Sequence, residues 1–137
     1  MNKQVELQDL GQKDYKETWD FQENLFQSIL NTKIKNRKEE TQLKTSNYFL
    51  FVEHPHVYTL GKSGDDSNLL INALQLQTKK AEFIKTNRGG DITYHGPGQL
   101  VGYPILDLEK LELGTRTYIE KMEGAIILTL KEYGIES

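Results

Sequence analysis

The apolar and polar positions of the chain predict most of its elements. Val5, Leu7 and Leu10 predict a short first strand that stops at Gly11. Asp14-Tyr15-Lys16-Glu17 has the spacing of a capping box, and Tyr15, Trp19, Phe26, Ile29 and Leu30 recur behind it at helical intervals. They predict a long amphipathic helix ending in Lys33-Ile34-Lys35-Asn36-Arg37-Lys38, whose charge complements a helix C-terminus. That cluster reads as a solvated helix end, with a docking patch for an acidic partner as the other reading. Residues 39–46 are polar and predict a loop, and Asn47-Tyr48-Phe49-Leu50-Phe51-Val52 predicts a buried strand. Pro55 forces His54 into extended backbone and interrupts the ladder, which Val57 to Leu60 can resume. Residues 62–68 read as a mobile loop, 68–77 as a short helix and 81–86 as another strand. Leu100, Val101, Tyr103, Ile105, Leu106 and Leu108 predict an apolar strand at a sheet centre, although Pro104 points to an irregularity or an edge. Thr117-Tyr118-Ile119-Glu120 has the form of a second capping box. Behind it Ile119, Met122, Ile126, Leu130 and Tyr133 share one helix face, and Gly134 is placed to stop the helix.

Between these elements lies Asn87-Arg88-Gly89-Gly90-Asp91-Ile92-Thr93-Tyr94-His95-Gly96-Pro97-Gly98-Gln99. Glycines and a proline at this density are costly in an ordinary helix or strand, so the segment holds a special backbone shape. It is either a pair of tight turns between strands or a loop that lets a ligand approach the main chain. His54 stands at a strand end, where a histidine is either structural or part of a cleft.

Composition narrows the classes. A chain of 137 residues fits one domain and can bury a core without a disulfide or metal staple. Its formal net charge of -3, from 17 basic and 20 acidic residues, gives no sign of bulk nucleic-acid binding. Cysteine is absent, which excludes disulfides, thiolate metal sites and a cysteine nucleophile within these residues. Met1 to Leu10 has no signal-peptide core, and no apolar run is long enough to span a bilayer. A soluble, cytoplasmic protein with neither nucleic acid nor membrane as partner is the expectation.

Arg88-Gly89-Gly90-Asp91-Ile92-Thr93-Tyr94-His95-Gly96-Pro97-Gly98-Gln99, with Tyr103-Pro104-Ile105-Leu106-Asp107-Leu108 behind it, resembles the signature of the lipoate-biosynthesis octanoyltransferases. Glu53-His54-Pro55-His56-Val57-Tyr58-Thr59-Leu60-Gly61 is similar to that family's other N-terminal motif, where a second proline commonly stands in place of His56. Tyr133-Gly134-Ile135-Glu136 fits the same pattern downstream, so the resemblance runs through most of the chain from Tyr48 onward.

The resemblance implies an α+β protein of the biotin/lipoate ligase-like fold, a mixed sheet flanked by helices. It also implies a cofactorless acyl transfer, with no metal, from octanoyl-acyl carrier protein to a lysine of a lipoyl domain. The acceptors are the lipoyl domains of 2-oxoacid dehydrogenases and the glycine cleavage H protein. In the family the acyl group passes through a cysteine thioester, activated by a lysine that lowers the thiol pKa. Both residues are expected beyond residue 137, so residues 1–137 are read as the N-terminal part of one catalytic domain, truncated at its C-terminus and inactive alone. A truncated form is expected to leave apolar surface uncovered and to be poorly soluble. By the same resemblance Arg88, Gly89, Gly90, Asp91, Ile92, Thr93, Tyr94 and His95 are the substrate-binding residues, with His54 and Tyr58 as further candidates for their pocket. Which of the pairs Ile92 and Tyr94 or Thr93 and His95 faces the acyl chain stays open, as does a local ion pair between Arg88 and Asp91. A non-catalytic acyl-carrier or lipoyl-domain binding module and an ATP-dependent lipoate-protein ligase are the alternative functions.

Overall fold

The computed structural model describes residues 4–137, so the start of the Met1 to Leu10 stretch lies outside the described residues. Two three-stranded sheets share one plan. In the first, β2 (Tyr48–Glu53) is central, with β1 (Glu6–Gln12) parallel on one side and β6 (Val101–Ile105) antiparallel on the other. In the second, β3 (Val57–Leu60) is central, between β4 (Glu82–Lys85), parallel, and β5 (Ile92–His95), antiparallel. A parallel pair needs a crossover. Helix α1 (Tyr15–Glu39) makes it in the first sheet; a 3-10 turn, Asp66–Asn68, and helix α2 (Ala73–Thr78) make it in the second. Helix α3 (Thr115–Glu132) follows the last strand.

The sheets are halves of one bent antiparallel pair. Tyr48 faces Ile105 and Val52 faces Val101 in the first sheet, while Val57 faces His95 and Leu60 faces Ile92 in the second. Between these registers one strand spends residues 53–56 and the other 96–100, so the second carries an extra residue round the bend. Pro55 lies on one side of this corner and Pro97 on the other. Each lacks the N–H that a ladder needs, which keeps the corner from closing into a flat sheet.

Packing explains why α1 sits where it does. The Asp14 carboxylate accepts from the Glu17 N–H at 3.0 Å and caps the helix, as the predicted box requires on its N-cap side. Phe21, Leu25 and Ile29, one helical row, meet Leu10, Leu50, Tyr48, Tyr103 and Ile105 in the core of the first sheet. Phe26, predicted to share that face, stays exposed at 47 % because it lies on the adjoining row. The C-terminal end of α1 is tied down by a buried carboxylate. Asp107 receives Lys33 Nζ at 2.9 Å and Thr45 Oγ1 at 2.7 Å, while its N–H donates to Asn47 Oδ1 at 2.8 Å. Lys33 also pairs with Glu109, so part of the predicted solvated cluster is anchored. Burial alone would raise the Asp107 carboxyl; the bonds from Lys33 and Thr45 and the Lys33 charge hold it below its ordinary value.

Several sequence expectations need correction. β1 continues through Gly11, where a positive φ of 60° and a register shift between Asp9 and Gln12 form a bulge instead of a stop. β6 is an edge strand, as Pro104 hinted, and not the sheet centre. α2 occupies only the end of the predicted 68–77 helix, because Asn72 and Gln75 close a capping box there. α3 begins at Thr115 behind Gly114, so Thr117 and Glu120 are inside the helix and form no N-terminal box. Its end is as predicted, with Gly134 at φ 74°. No residue of α3 is buried, and Ile126 and Leu128 stay exposed at 57 % and 65 %.

Candidate active site at the sheet corner

The glycine-rich segment resolves into two devices, so both of its sequence readings apply. Gly96-Pro97-Gly98-Gln99 is a tight turn: the Gln99 N–H donates to the Gly96 carbonyl at 3.1 Å, and Gly98 takes φ 85°. Proline second and a positive-φ glycine third are what a type II turn demands. Glu53 braces it by accepting the Gly98 N–H at 3.0 Å. The other half is a close backbone approach. The Gly61 N–H donates to the Asp91 carbonyl at 3.0 Å and the Lys62 N–H to the Arg88 carbonyl at 2.9 Å, and a Cβ on Gly61 would overlap the Gly90 carbonyl oxygen.

Arg88 holds that second loop in shape. Its Nη2 donates to the Thr59 carbonyl at 2.7 Å, the Thr59 hydroxyl at 2.9 Å and the Asp91 carbonyl at 2.9 Å, and its Nη1 donates to the Gly89 carbonyl at 2.8 Å. The Asp91 carboxylate instead accepts from the Asp65 N–H and from Asn68 Nδ2, tying the 62–68 loop to the glycine segment. The local ion pair between Arg88 and Asp91 is therefore replaced by a backbone contact. Among the described residues Arg88 faces no carboxylate, and the N–H groups of Gly89 and Gly90 donate to no protein acceptor. Positive charge and two open donors thus sit on one exposed loop.

On the sheet face of Thr59, which Arg88 bonds, stands a ring cluster. β5 alternates its faces, so Thr93 and His95 lie with Thr59 and Val57, and Ile92 and Tyr94 lie with Leu60 and Tyr58 on the opposite side. His95 stacks on Tyr15 of α1, with centroids 6.0 Å apart and planes at 17°, and approaches His54 at 5.7 Å. His54, fully buried, donates from Nδ1 to the Lys13 carbonyl at 2.8 Å; a carbonyl can only accept, so Nε2 is left to accept from the Tyr103 hydroxyl at 2.9 Å. Burial lowers the His54 pKa, with the Lys13 carbonyl opposing and the neighbouring His95 adding. Burial pushes the Tyr103 phenol well up, so its hydroxyl keeps the proton it gives to His54. The Tyr15 phenol is raised by burial against the lowering effect of the Arg88 charge.

Of the sequence candidates, His54 joins His95, but Tyr58 does not. Tyr58 packs on Tyr94 at 5.1 Å across the sheet, where His56 hydrogen-bonds Tyr94 at 2.6 Å. A separate cavity of about 240 Å³ opens there, lined by His56, Tyr58, Lys79, Ala81 and Tyr94. Tyr15 and Tyr103 were missed, since each fits an apolar pattern of its own element. Among the described residues no group of three or more His, Cys, Asp or Glu could hold a metal ion, and no helix is long and apolar enough to cross a membrane.

Residues 14–137 match the family described as the lipoyl protein ligase A/B catalytic domain. The chain is 66 % identical over its whole length to an octanoyltransferase of Flavobacterium johnsoniae, of which it covers 59 %. It is 67 % identical over 98 % of its length to that of Flavobacterium psychrophilum, covering 58 %, and 64 % identical over its whole length to that of Christiangramia forsetii, also covering 58 %. The chain thus spans under two thirds of the length of these curated relatives. A solved structure, Plasmodium falciparum LipL1 with lipoate, aligns with 72 % of this chain and 29 % of that one at a TM-score of 0.49 and 11 % identity, a likeness too slight to bear on the fold. On the family match and these relatives, the chain belongs to the lipoyl protein ligase A/B catalytic domain family.

Proposed function

We propose that residues 88–95 form the acyl-binding wall of an octanoyltransferase. The enzyme moves an octanoyl group from octanoyl-acyl carrier protein, in the cytoplasm, to a lysine on the lipoyl domains of 2-oxoacid dehydrogenases and on the glycine cleavage H protein. Residues 1–137 are the N-terminal part of its single catalytic domain; the cysteine that carries the acyl thioester, and the lysine that activates it, lie beyond residue 137. No cofactor takes part.

One observation carries this reading. The Arg88 charge faces no carboxylate, the Gly89 and Gly90 N–H groups of the same loop are open, and Arg88 lies against Thr59 on the sheet face that carries His95, in a chain of this family. When a thioester carbonyl is attacked, negative charge develops on its oxygen, and fixed donors aimed at that oxygen lower the barrier. Arg88 contributes its positive charge, with most of its donors spent on Thr59, Gly89 and Asp91. The Thr93 and His95 face therefore takes the acyl head group.

The test uses two proteins, residues 1–137 alone and the same residues joined after Ser137 to the part of the F. johnsoniae octanoyltransferase that the match leaves out. Each is incubated with octanoyl-acyl carrier protein and a lipoyl domain, and the product is read by intact mass. Transfer by the joined protein and none by residues 1–137 is expected. Transfer by residues 1–137 alone would put the chemistry inside this chain, and none by a folded joined protein would leave a binding module.

A further inference from the structure

We infer that Gln99 is a positioning residue for His95 and makes Nε2 of His95 the proton-accepting atom of the site, an inference that rests on the acyl-transfer reading above. His95 Nδ1 lies 2.6 Å from the Gln99 amide oxygen. An amide oxygen can only accept, so Nδ1 carries the ring hydrogen and, in the neutral ring, Nε2 carries the lone pair. Among the described residues Nε2 has no hydrogen-bond partner.

The rest of the corner exists around this bond. The Gly96–Gln99 turn folds the chain back so that residue 99 reaches residue 95, and Glu53 holds the turn through Gly98. Tyr15 stacks under the imidazole and His54, itself fixed at both nitrogens, closes one edge. The ring is thus oriented by a hydrogen bond, a stack and a buried neighbour. The ring stays only partly covered.

The chemistry then falls to the open ring nitrogen of His95. An acceptor lysine, as the free amine, attacks the thioester carbonyl carbon; a C–N bond forms and the C–S bond breaks. The surplus amine proton passes to His95 Nε2 and from there to the departing sulfur, leaving an amide and a thiol. Gln99 touches no substrate and acts through His95.

Long-range ¹⁵N–¹H spectra of the imidazoles in residues 1–137 test the positioning. His95 is expected as the Nδ1–H tautomer in the wild type and in Gln99→Glu, which keeps an acceptor oxygen, and as a mixture or the Nε2–H form in Gln99→Leu. An Nε2–H ring in the wild type would overturn the inference. In the joined protein, Gln99→Leu is expected to lower kcat at least tenfold with KM and Tm nearly unchanged, and Gln99→Glu to restore most of it. An unchanged kcat in Gln99→Leu would also overturn it. If the folded wild-type joined protein transfers nothing, the acyl-transfer reading and with it the catalytic role fall, while the tautomer still decides whether Gln99 positions the ring.

Discussion

The rings of His54 and His95 stand 5.7 Å apart at 58°, although one follows a strand of the first sheet and the other ends a strand of the second. The sheet corner makes this meeting possible. Pro55 and the Gly96–Gln99 turn bend two neighbouring chains at the same place, so side chains at the bend leave their own sheets and converge on Tyr15 at the start of α1.

His54 makes stability depend on pH. Its folded pKa lies below the ordinary histidine value, so below about pH 6.5 the unfolded chain binds the proton more readily than the folded one. Tm is expected to be flat above that pH and to fall as pH drops through it. The slope should flatten in His54→Gln, measured by thermal unfolding between pH 5 and 8; an equal slope in both proteins would assign the dependence elsewhere.

Asp107 anchors the end of α1 through Lys33 and the 41–47 loop through Thr45. Asp107→Asn leaves the ammonium without its buried partner and is expected to cost about 1.5–3 kcal/mol in urea unfolding. A loss below about 0.5 kcal/mol, the ordinary range of a surface change, would contradict the anchoring.

Two glycines where the 88–91 loop meets the end of β3 should respond differently to alanine. Gly61→Ala drives a methyl into the Gly90 carbonyl and is expected to cost about 1–3 kcal/mol. Gly89→Ala meets nothing within 4 Å and has no positive φ, so it should leave Tm nearly unchanged. Equal effects in differential scanning calorimetry would mean that the loop is not pressed against Gly61.

Arg88→Lys keeps the charge and loses the fork that spans Thr59, Gly89 and Asp91. The expected result is about 1–2 kcal/mol of lost stability and raised amide exchange at Gly89 to Asp91. Unchanged exchange there would show that Arg88 does not hold the loop.

Much of this fold was legible in the sequence, and the reasons are physical. Strands β2 and β3 and the end of α3 carry dense apolar patterns or a glycine stop, which local chemistry specifies. The bulge at Gly11 and the exposed Phe26 depend on which rows and strands meet, and a one-dimensional pattern does not encode that; at β6 the apolar pattern pointed to the sheet centre and only Pro104 to the edge. The site divides the same way. Gly98 announces its turn, and His95 is visible by residue type. Tyr15 and Tyr103 are not, because each also serves as an apolar position of its helix or strand, and only the corner gives them a second partner.

The most direct measurement is a ¹⁵N–¹H titration of residues 1–137 with S-octanoyl-N-acetylcysteamine, a small octanoyl thioester. The expected result is saturable shifts at Gly89, Gly90, Thr93 and His95, reduced in His95→Ala while its Tm holds. Shifts confined to the groove formed by Trp19, Phe26 and Tyr118, or none at all, would contradict the assignment of the acyl group to this loop.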